Sequence, residues 1–495
     1  MSLLGRLTDV ARSVRNRASS ITDADLALEA AMAGFIELAA TRYAVQDGPA
    51  WTPGQPYSIL LAGYTGTRNT GADVRVEEMI RQFRHLWGDA NLELSILTID
   101  REGSRGYFRT ARQLEFPKLF PAWLYRHVHQ HHAVVACEGS MFKSKFANAL
   151  ATMMTGALGL AAAEHKVAVG YGGEAGAMDP DLERLVARYC KDTLQICRNE
   201  NSAQILGDLG IPCRVGTDTA WTYQPADMKA GPQWLRDHGW DGTQPVIAVC
   251  PINAFWWPVK ADVEKAVSRL VTGAHSDSHY ASLYFHNAGP EVDAAQDRYL
   301  QGIADGINRV QSEHNAFIVL YGSEALDRRA CEALAPKLRV EPPLMVSDDH
   351  DHGEMVSMLW ACDAVVSSRY HAIVCSMAGK PVSVGITMDE RIRNLMADRG
   401  TPELALEVDD SDLGAKLAHQ LHRVLTERDT FRDGIERCVA RNLRVMGTMG
   451  AMLVDHVRER HPEMPFRAEL GEHGDPWDHL PPLPPRIQDI AERLA

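Results

Sequence analysis

The stretch DAVVSSRYHAIVCSMAGKPVSVGI (363–386) decides the fold of this chain. An apolar run at 363–368 is followed by a polar turn and by an apolar-rich segment that ends at Gly379. A second apolar run follows at 381–386. Short apolar runs on either side of a longer apolar-rich segment predict a strand, a helix and a second strand. Because a helical crossover makes the two strands parallel, the stretch predicts a β–α–β unit.

The same alternation of strands and helices occurs along most of the chain. Runs typical of buried strands fall at 58–63, 92–99, 133–137, 166–171, 194–197, 246–250, 317–321, 363–368 and 381–386. Strands that alternate with helices form parallel sheets covered on both faces. The alternation breaks at 223–245, where proline, glycine and charged residues accumulate. We therefore predict an α/β protein with two Rossmann-like domains that face each other across a cleft.

The 495 residues divide into four predicted parts. Residues 1–56 form a helical extension, residues 57–225 the first Rossmann-like domain and residues 226–410 the second. Residues 411–495 are helical and end in a proline-rich tail, which favours an extended chain. Two domains also fit the length, because one hydrophobic core rarely serves more than about 300 residues.

Charge and composition exclude several classes of function. The formal net charge of −14 argues against broad binding of nucleic acids or anionic membranes, so an anionic substrate needs a local cationic pocket. Nine cysteines without a CxxC pair favour reduced thiols and a cytoplasmic protein. The sequence lacks a run of 18 apolar residues, so we predict no integral membrane segment. A lipid-linked substrate would then require peripheral contact with the inner face of the membrane.

The segment SSRYHAI (367–373) carries the clearest candidate chemistry. It lies where a strand passes into a helix, so backbone N–H groups and the positive end of the helix dipole converge there. Arg369 adds a fork that binds a carboxylate or phosphate through two hydrogen bonds. His371 can donate or accept a proton near neutral pH. The same pattern also fits a helix-capping turn with a surface arginine and a packed histidine.

The longer stretch 363–396 resembles the C-terminal signature of the polysaccharide pyruvyl transferases, in which an Arg-x-His triplet precedes a helix. The resemblance implies a GT-B-like fold, with the acceptor on the first domain's side of the cleft and the donor on the second domain's side. It also implies that Arg369 and His371 contact the donor, phosphoenolpyruvate, and that His371 transfers protons. The residue between them is often leucine in the family and is Tyr370 here.

A glycine-rich turn in the first domain resembles the family's opening turn, which usually reads GxxGxxNxGD. The matching residues are Gly63, Gly66, Asn69 and Asp73, with Ala72 inserted before the acid. Glycines there let the backbone turn sharply and approach a ligand closely. We assign these four residues to a turn that faces the cleft, although such a turn can also be purely structural.

A second turn of the first domain reads Cys137-Glu138-Gly139-Ser140, where the family usually has a GGGS-like sequence. Ser140 belongs to the same predicted cleft wall. Glu138 is a candidate general base, and its alternative role is that of a negative charge near a helix N-terminus.

A third segment begins at Arg198 and resembles the family's R-(D/N)-E-x-S pattern. The resemblance makes Arg198 a second donor-binding arginine, and its alternative role is to pair with Glu200. Asp218 begins a triplet that resembles the family's Asp-x-Ala. The resemblance covers roughly residues 57–400.

These segments together imply an enzyme that moves pyruvate from phosphoenolpyruvate onto a sugar of a glycan or glycolipid as a cyclic ketal, with release of phosphate. Such a reaction serves exopolysaccharide and cell-envelope biosynthesis and needs no cofactor. Two alternatives stay open at this point. One is a GT-B glycosyltransferase that uses a nucleotide sugar, and the other is a non-catalytic relative that binds sugars or anions.

Two histidine-rich stretches are candidate metal sites. In the first, at 126–132, His127 and His131 are four residues apart, and the second lies at 347–352. Neither has a complete ligand set nearby. We interpret the first as a solvated helix end and the second as acidic residues before a helix, and we predict no metal.

Overall fold

The computed structural model of the protein describes residues 24–45, 50–261, 284–379, 381–467, 470 and 474–494. The predicted N-terminal extension is therefore described from helix α1 (Ala24–Tyr43) onward, and residues 1–23 lie outside the described residues. Helix α1 buries Met32 against the first domain, where a Cβ at residue 156 would lie 2.4 Å from Met32 Sδ. Gly156 thus leaves room for the Met32 side chain where the helix packs on the domain.

The first domain is built on a seven-stranded parallel sheet. Its strands are β1 (Tyr57–Ala62), β2 (Leu92–Thr98), β3 (Arg112–Glu115), β4 (Ala133–Ala136), β5 (Val167–Gly173), β6 (Leu194–Cys197) and β7 (Cys213–Val215). Its helices are α2 (Thr70–Trp87), α3 (Pro121–His129), α4 (Asn148–Ala163), α5 (Pro180–Tyr189) and α6 (Glu200–Asp208). The strand order is β3-β2-β1-β4-β5-β6-β7, and Leu61 of β1 pairs with Ile96 on one side and Val135 on the other.

The second domain repeats this plan with six parallel strands. After helix α7 (Ala230–Asp237), its main strands are β8 (Val246–Cys250), β11 (Phe317–Gly322), β12 (Leu344–Val346), β13 (Ala364–Ser367), β14 (Val382–Thr387) and β15 (Ala405–Glu407). A separate antiparallel pair is formed by β9 (Lys260–Ala261) and β10 (Tyr284–Phe285). Its helices are α8 (Pro290–His314), α9 (Asp327–Leu334), α10 (His352–Ala361), α11 (Tyr370–Met377), α12 (Glu390–Asp398) and α13 (Leu413–Thr426). The strand order is β12-β11-β8-β13-β14-β15.

The chain ends in two helices, α14 (Arg428–Arg460) and α15 (Pro485–Leu494). Helix α14 contributes to both cores: Val439 and Leu443 pack in the second domain, whereas Leu453 and Val457 pack in the first. The proline-rich tail was predicted to be extended. Instead, Pro476–His479 form a 3₁₀ turn and Pro485–Leu494 form a helix, because Pro485 is tolerated at a helix start and the residues after it bury an apolar face.

The prediction of two Rossmann-like domains with extra helices at both ends is confirmed. The strands that the sequence patterns did not predict are short and mostly lie at sheet edges, as β3, β7, β12 and β15 do. Three or four residues give too short an apolar pattern to recognise. Among the described residues, no helix is both long enough and apolar enough to cross a bilayer.

Candidate active site

The strand orders place one cleft between the two domains. In each sheet the order reverses at the centre, between β1 and β4 in the first domain and between β8 and β13 in the second. In open α/β sheets, ligands bind beyond the carboxyl ends of the strands at such a reversal. The turns after β1, β4 and β13 line the same cleft, which encloses about 1040 Å³ including the open solvent at its mouth.

Arg369 precedes helix α11 and lines the cleft, but its guanidinium is already ion-paired. Its Nε lies 2.9 Å from Asp327 Oδ2 and its Nη2 lies 3.0 Å from Glu324 Oε2. Burial raises the pKa of Asp327 to about 6, although Arg369 opposes the shift. An anionic ligand of Arg369 must therefore share the arginine with two carboxylates.

His371 lies in the first turn of α11 and meets the first domain across the cleft. Its Nε2 lies 3.1 Å from Asp218 Oδ2, and its ring packs against the backbone of Gly71. A Cβ at residue 71 would lie 2.3 Å from His371 Cβ, so this close approach requires glycine. Burial lowers the pKa of His371, against the opposing effect of Asp218, so the imidazole is neutral at pH 7.

Asp218 connects the cationic groups of the site. The same Oδ2 atom lies 3.0 Å from Arg75 Nε and 3.0 Å from Arg198 Nη1. Burial alone would raise the pKa of Asp218, but Arg75, His371 and Arg198 hold it well below its usual range. Asp218 is therefore a permanent negative charge under the cleft.

Arg198 lines the cleft from the first domain. Besides Asp218, it pairs with Glu174, whose Oε1 lies 2.7 Å from Nη2. Its guanidinium carbon lies 4.4 Å from the centroid of the Tyr370 ring, which comes from the second domain. The unusual tyrosine of the Arg-x-His triplet thus packs against the other predicted donor-binding arginine. Glu200, which the sequence offered as another partner for Arg198, is the first residue of helix α6.

The glycine-rich turn after β1 is divided between the cleft and the protein interior. Asn69 lines the cleft, caps α2 by accepting the N–H of Ala72 at 3.2 Å, and donates to Glu324 Oε2 at 3.2 Å. Gly66 has φ +73°, and its N–H donates to Asp73 Oδ1 at 3.2 Å. A Cβ on Gly63 would lie 2.7 Å from Cys137 Sγ. Gly63, Gly66 and Asp73 therefore build the turn rather than contact the cleft.

Asp73 provides a stability prediction. Burial raises the pKa of its carboxyl to about 8, from about 4 in the unfolded chain. Between about pH 4 and pH 8 the folded protein keeps a proton on Asp73 that the unfolded chain has released. The stabilisation that this proton gives is complete below about pH 4 and is lost as the pH rises through about 8. The free energy of unfolding falls by up to about 1.4 kcal/mol for each pH unit between those two values.

We therefore expect Asp73→Asn, which keeps the shape without the charge, to unfold at higher urea concentration than wild type at pH 8, with a clearly smaller difference at pH 5. Urea denaturation at both pH values measures this. Asp192→Asn, at an exposed position, is the control and should shift neither midpoint. Equal destabilisation by Asp73→Asn at both pH values would contradict the expectation.

Glu138 and Ser140 both line the cleft at the turn after β4. The Glu138 carboxylate folds back on this turn, where its Oε1 accepts the N–H groups of Gly139 at 2.7 Å and Ser140 at 3.3 Å. A Cβ at residue 139 would lie 3.2 Å from Arg198 Nη1. The backbone N–H groups of this turn are of the kind that bind an anion. In this structure they bind the Glu138 carboxylate.

Several groups of the site were missed in the sequence. Arg391, which lines the cleft, is paired with Asp389 at 2.8 Å. Glu324 and Asp327 follow β11, and Glu174 follows β5. The position of Arg391 just after β14 could have identified it, because it belongs to the same sheet edge as Arg369. The carboxylates carried no motif.

Charge in the cleft wall is balanced. The arginines that line it are Arg198, Arg369 and Arg391, and the carboxylates that line it are Glu138, Glu324 and Asp327. The predicted cationic pocket is therefore present only together with its counter-charges. Binding of an anion requires these arginines to change partners or the carboxylates to take up protons.

The two histidine-rich stretches lie elsewhere and have other partners. His131 is buried, burial lowers its pKa to about 4, and its Nδ1 lies 2.6 Å from the carbonyl oxygen of His127. In the second stretch, Asp351 caps α10 together with Glu354. His352 Nδ1 lies 2.6 Å from Tyr223 Oη. His131 and His352 therefore take part in packing and hydrogen bonding. The interpretation of the first stretch as a solvated helix end is wrong for His131, because its ring is buried.

Comparison with known proteins identifies the fold. No family model matches the chain, and no curated protein does. Among solved structures, a Listeria monocytogenes protein assigned as a UDP-N-acetylglucosamine 2-epimerase is 10% identical, with a TM-score of 0.50 over 82% of this chain and 97% of its own. UDP-GlcNAc 2-epimerase from Neisseria meningitidis, bound to UDP-GlcNAc, is 10% identical with a TM-score of 0.47 over 81% and 100%. Heptosyltransferase II from E. coli is 11% identical with a TM-score of 0.37 over 75% and 99%. At this identity the similarity concerns the fold, which is a GT-B-like pair of Rossmann-like domains.

Proposed function

We propose that this protein is a GT-B-fold transferase that moves pyruvate from phosphoenolpyruvate onto two hydroxyls of a carbohydrate as a cyclic ketal. The observation that supports it most is the meeting of Arg198 with Arg369 and His371 at one cleft, although they come from different domains. These are the residues that the family resemblance assigns to the donor, Arg369 and His371 by the Arg-x-His triplet and Arg198 by the R-(D/N)-E-x-S segment.

The geometry suggests how His371 acts. It is neutral in the absence of ligand because burial lowers its pKa. Phosphoenolpyruvate brings about three negative charges at neutral pH, and a nearby negative charge raises the pKa of an imidazole. Donor binding therefore favours the imidazolium, while Asp218 at 3.1 Å holds the ring in place. Protonation then depends on the donor being bound.

In the proposed reaction His371 acts first as an acid and then as a base. His371 transfers its proton to the methylene carbon of the donor, which leaves an oxocarbenium-like carbon next to the carboxylate. One sugar hydroxyl adds to that carbon and loses its proton to the imidazole. The bond to phosphate then breaks, and a second hydroxyl closes the ketal while its proton passes to the departing phosphate. Arg369 and the N-terminus of α11 stabilise the charge on the leaving phosphate.

The arginines would exchange partners when the donor binds. Burial raises the pKa of Asp327 to about 6, so this carboxyl can take up a proton near neutral pH. Its protonation would leave Arg369 available to the donor. Donor binding is thus expected to be accompanied by proton uptake.

A second candidate is a glycosyltransferase that uses a nucleotide sugar. The fold comparison favours this candidate over pyruvyl transfer, since the Listeria protein is named for UDP-N-acetylglucosamine. The same arginines would bind a diphosphate. The Arg-x-His resemblance favours the first candidate.

Parallel assays separate the candidates. The protein is incubated with phosphoenolpyruvate and a panel of glycosides, and in a second series with UDP-sugars and the same panel. Phosphate release with a carboxyethylidene ketal in the product, detected by mass spectrometry and NMR, supports pyruvyl transfer. Consumption of a UDP-sugar without phosphate release from phosphoenolpyruvate supports the second candidate. Thermal stabilisation by a ligand with no turnover supports a non-catalytic binder.

Arg369 provides a prediction for the first candidate. Arg369→Lys keeps the positive charge between Asp327 and Glu324 but loses the two-pronged contact with the donor. A charge-assisted hydrogen bond contributes about 1.5–3 kcal/mol, so we expect kcat/KM to fall about 10- to 100-fold. Phosphate release measures the loss. Arg393→Lys, which changes an exposed arginine paired with Glu407, should keep wild-type turnover. Unchanged turnover in Arg369→Lys would remove Arg369 from the donor site.

A further inference from the structure

One wall of the cleft is aromatic. It is formed by Phe146, Trp256 and Trp257, which we call the aromatic wall. Phe146 comes from the turn before α4 of the first domain, and the two tryptophans follow β8 of the second. The rings of Phe146 and Trp257 have centroids 5.0 Å apart and planes at 67°. The wall therefore crosses from one domain to the other.

The aromatic wall differs from the rest of the cleft in its chemistry. Arg198, Arg369 and His371 line the same cleft and form an ionic cluster with their carboxylate partners. All three rings of the wall are partly exposed. Exposed apolar surface inside a cleft is typical of a ligand site. A single cleft thus offers an ionic part and an apolar part.

We propose that the aromatic wall binds the acceptor, a pyranose whose C–H face lies against Trp256 and Trp257 while its hydroxyls reach toward the ionic cluster. Pyranose rings have an apolar face and a polar edge, which matches an apolar surface beside polar groups. The proposal deepens the proposed function, because the ketal forms on hydroxyls that this arrangement brings to the donor. It places the acceptor against both domains, whereas the family resemblance implied the first domain's side alone.

The border of the wall suits hydroxyl groups. Arg391 lies 5.0 Å from the centroid of the Phe146 ring, and its pairing with Asp389 leaves hydrogen-bonding capacity on both groups. Lys145 donates to the carbonyl of Met388 at 3.2 Å and lies 3.8 Å from Asp389. Polar and charged groups therefore lie beside the Phe146 ring, and Arg391 among them lines the cleft.

A nucleobase could also stack on these rings, but the charge of the border favours a neutral ligand. A stacked base would bring a diphosphate next to the wall, which needs surplus positive charge. Arg391 and Lys145 share one carboxylate, Asp389, which leaves one positive charge that the two carboxylates on Lys143 offset. Lys143 lies between Glu174 and Glu390, at 2.8 Å from each. Beyond these pairs the border has, among the described residues, one further cation, Arg329, 5.2 Å from the centroid of the Trp256 ring, which is fewer than the negative charges of a diphosphate.

Calorimetric titration of the full chain with methyl glycosides, short oligosaccharides and UMP tests the proposal without requiring turnover. We expect at least one glycoside to bind, and Trp256→Leu or Trp257→Leu to weaken it tenfold or more. Trp257→Phe, which keeps an aromatic face, should restore part of the affinity. Trp123→Leu, at a partly exposed tryptophan outside the cleft lining, should bind as wild type does.

The outcomes separate this proposal from the proposed function. Loss of glycoside binding in the two leucine variants supports the aromatic wall even if phosphoenolpyruvate is never turned over. Glycoside affinity that is unchanged in both variants, or no binding by any glycoside of the panel, overturns it. Binding of UMP that is lost in both variants overturns it in favour of a nucleobase. If turnover is found, the acceptor KM should rise in the leucine variants at an unchanged KM for phosphoenolpyruvate.

Discussion

Replacement of His371 by alanine should lower kcat for phosphate release from phosphoenolpyruvate by about 10²–10⁴-fold, the usual contribution of a positioned acid–base group. The physical reason is that its ring is held 3.1 Å from Asp218, so its other nitrogen is left for proton transfer. Donor affinity should stay near wild type, because the arginines provide the charge that binds the donor. Phosphate release gives kcat, and calorimetry gives donor affinity.

His238→Ala is the matched control, since this histidine is exposed on the second domain. It should leave both quantities unchanged. Circular dichroism of His371→Ala should match wild type, because the ring is replaced by a smaller group at the edge of a cleft. Near-normal kcat in His371→Ala would show that another group transfers the proton.

Replacement of Asp218 by asparagine should reduce both stability and activity. The Asp218 carboxylate has no exposed surface, and it lies 3.0 Å from Arg75, which is equally buried. Removing one partner of a buried ion pair costs about 3–5 kcal/mol, because the other charge is left uncompensated. Urea denaturation should show this loss. Asp192→Asn, the exposed control, should show none.

The activity of Asp218→Asn should have a separate signature. Asp218 raises the pKa of His371 against the effect of burial. Without it, the pKa of His371 should fall further, so the bound donor protonates the ring less well and the pH–rate profile moves to lower pH. NMR titration of His371 in the variant measures the shift directly. A stability loss with an unchanged pH profile would restrict Asp218 to a structural role.

The long-range architecture was predictable because it rests on local patterns. Buried strands such as β1, β8 and β13 are continuous apolar runs between turns, and the regular spacing of the helices between them implied two parallel sheets. Strands such as β7 were not predictable, because they have three residues and lie at an edge. Their positions depend on the neighbouring strand rather than on their own sequence.

The candidate site was predictable only where a motif marked it. Arg198, Arg369 and His371 were chosen from their motifs, and they line one cleft. Their pairing with carboxylates could not be predicted, because the contacts join distant parts of the chain: Asp218, although it belongs to a recognised triplet, is 153 residues from His371. Asp73 is the opposite case: its motif predicted a position on the cleft, but its side chain is buried.

Helix α14 has a consequence for how this protein can fold during synthesis. It is about 50 Å long at 1.5 Å per residue, and its second half supplies Leu453 and Val457 to the core of the first domain. That domain is synthesised first, yet a part of its interior is encoded more than two hundred residues later, after the whole second domain. A ribosome-bound chain that ends before α14 therefore exposes apolar surface on both domains. Neither domain should be expressed as a stable fragment without this helix.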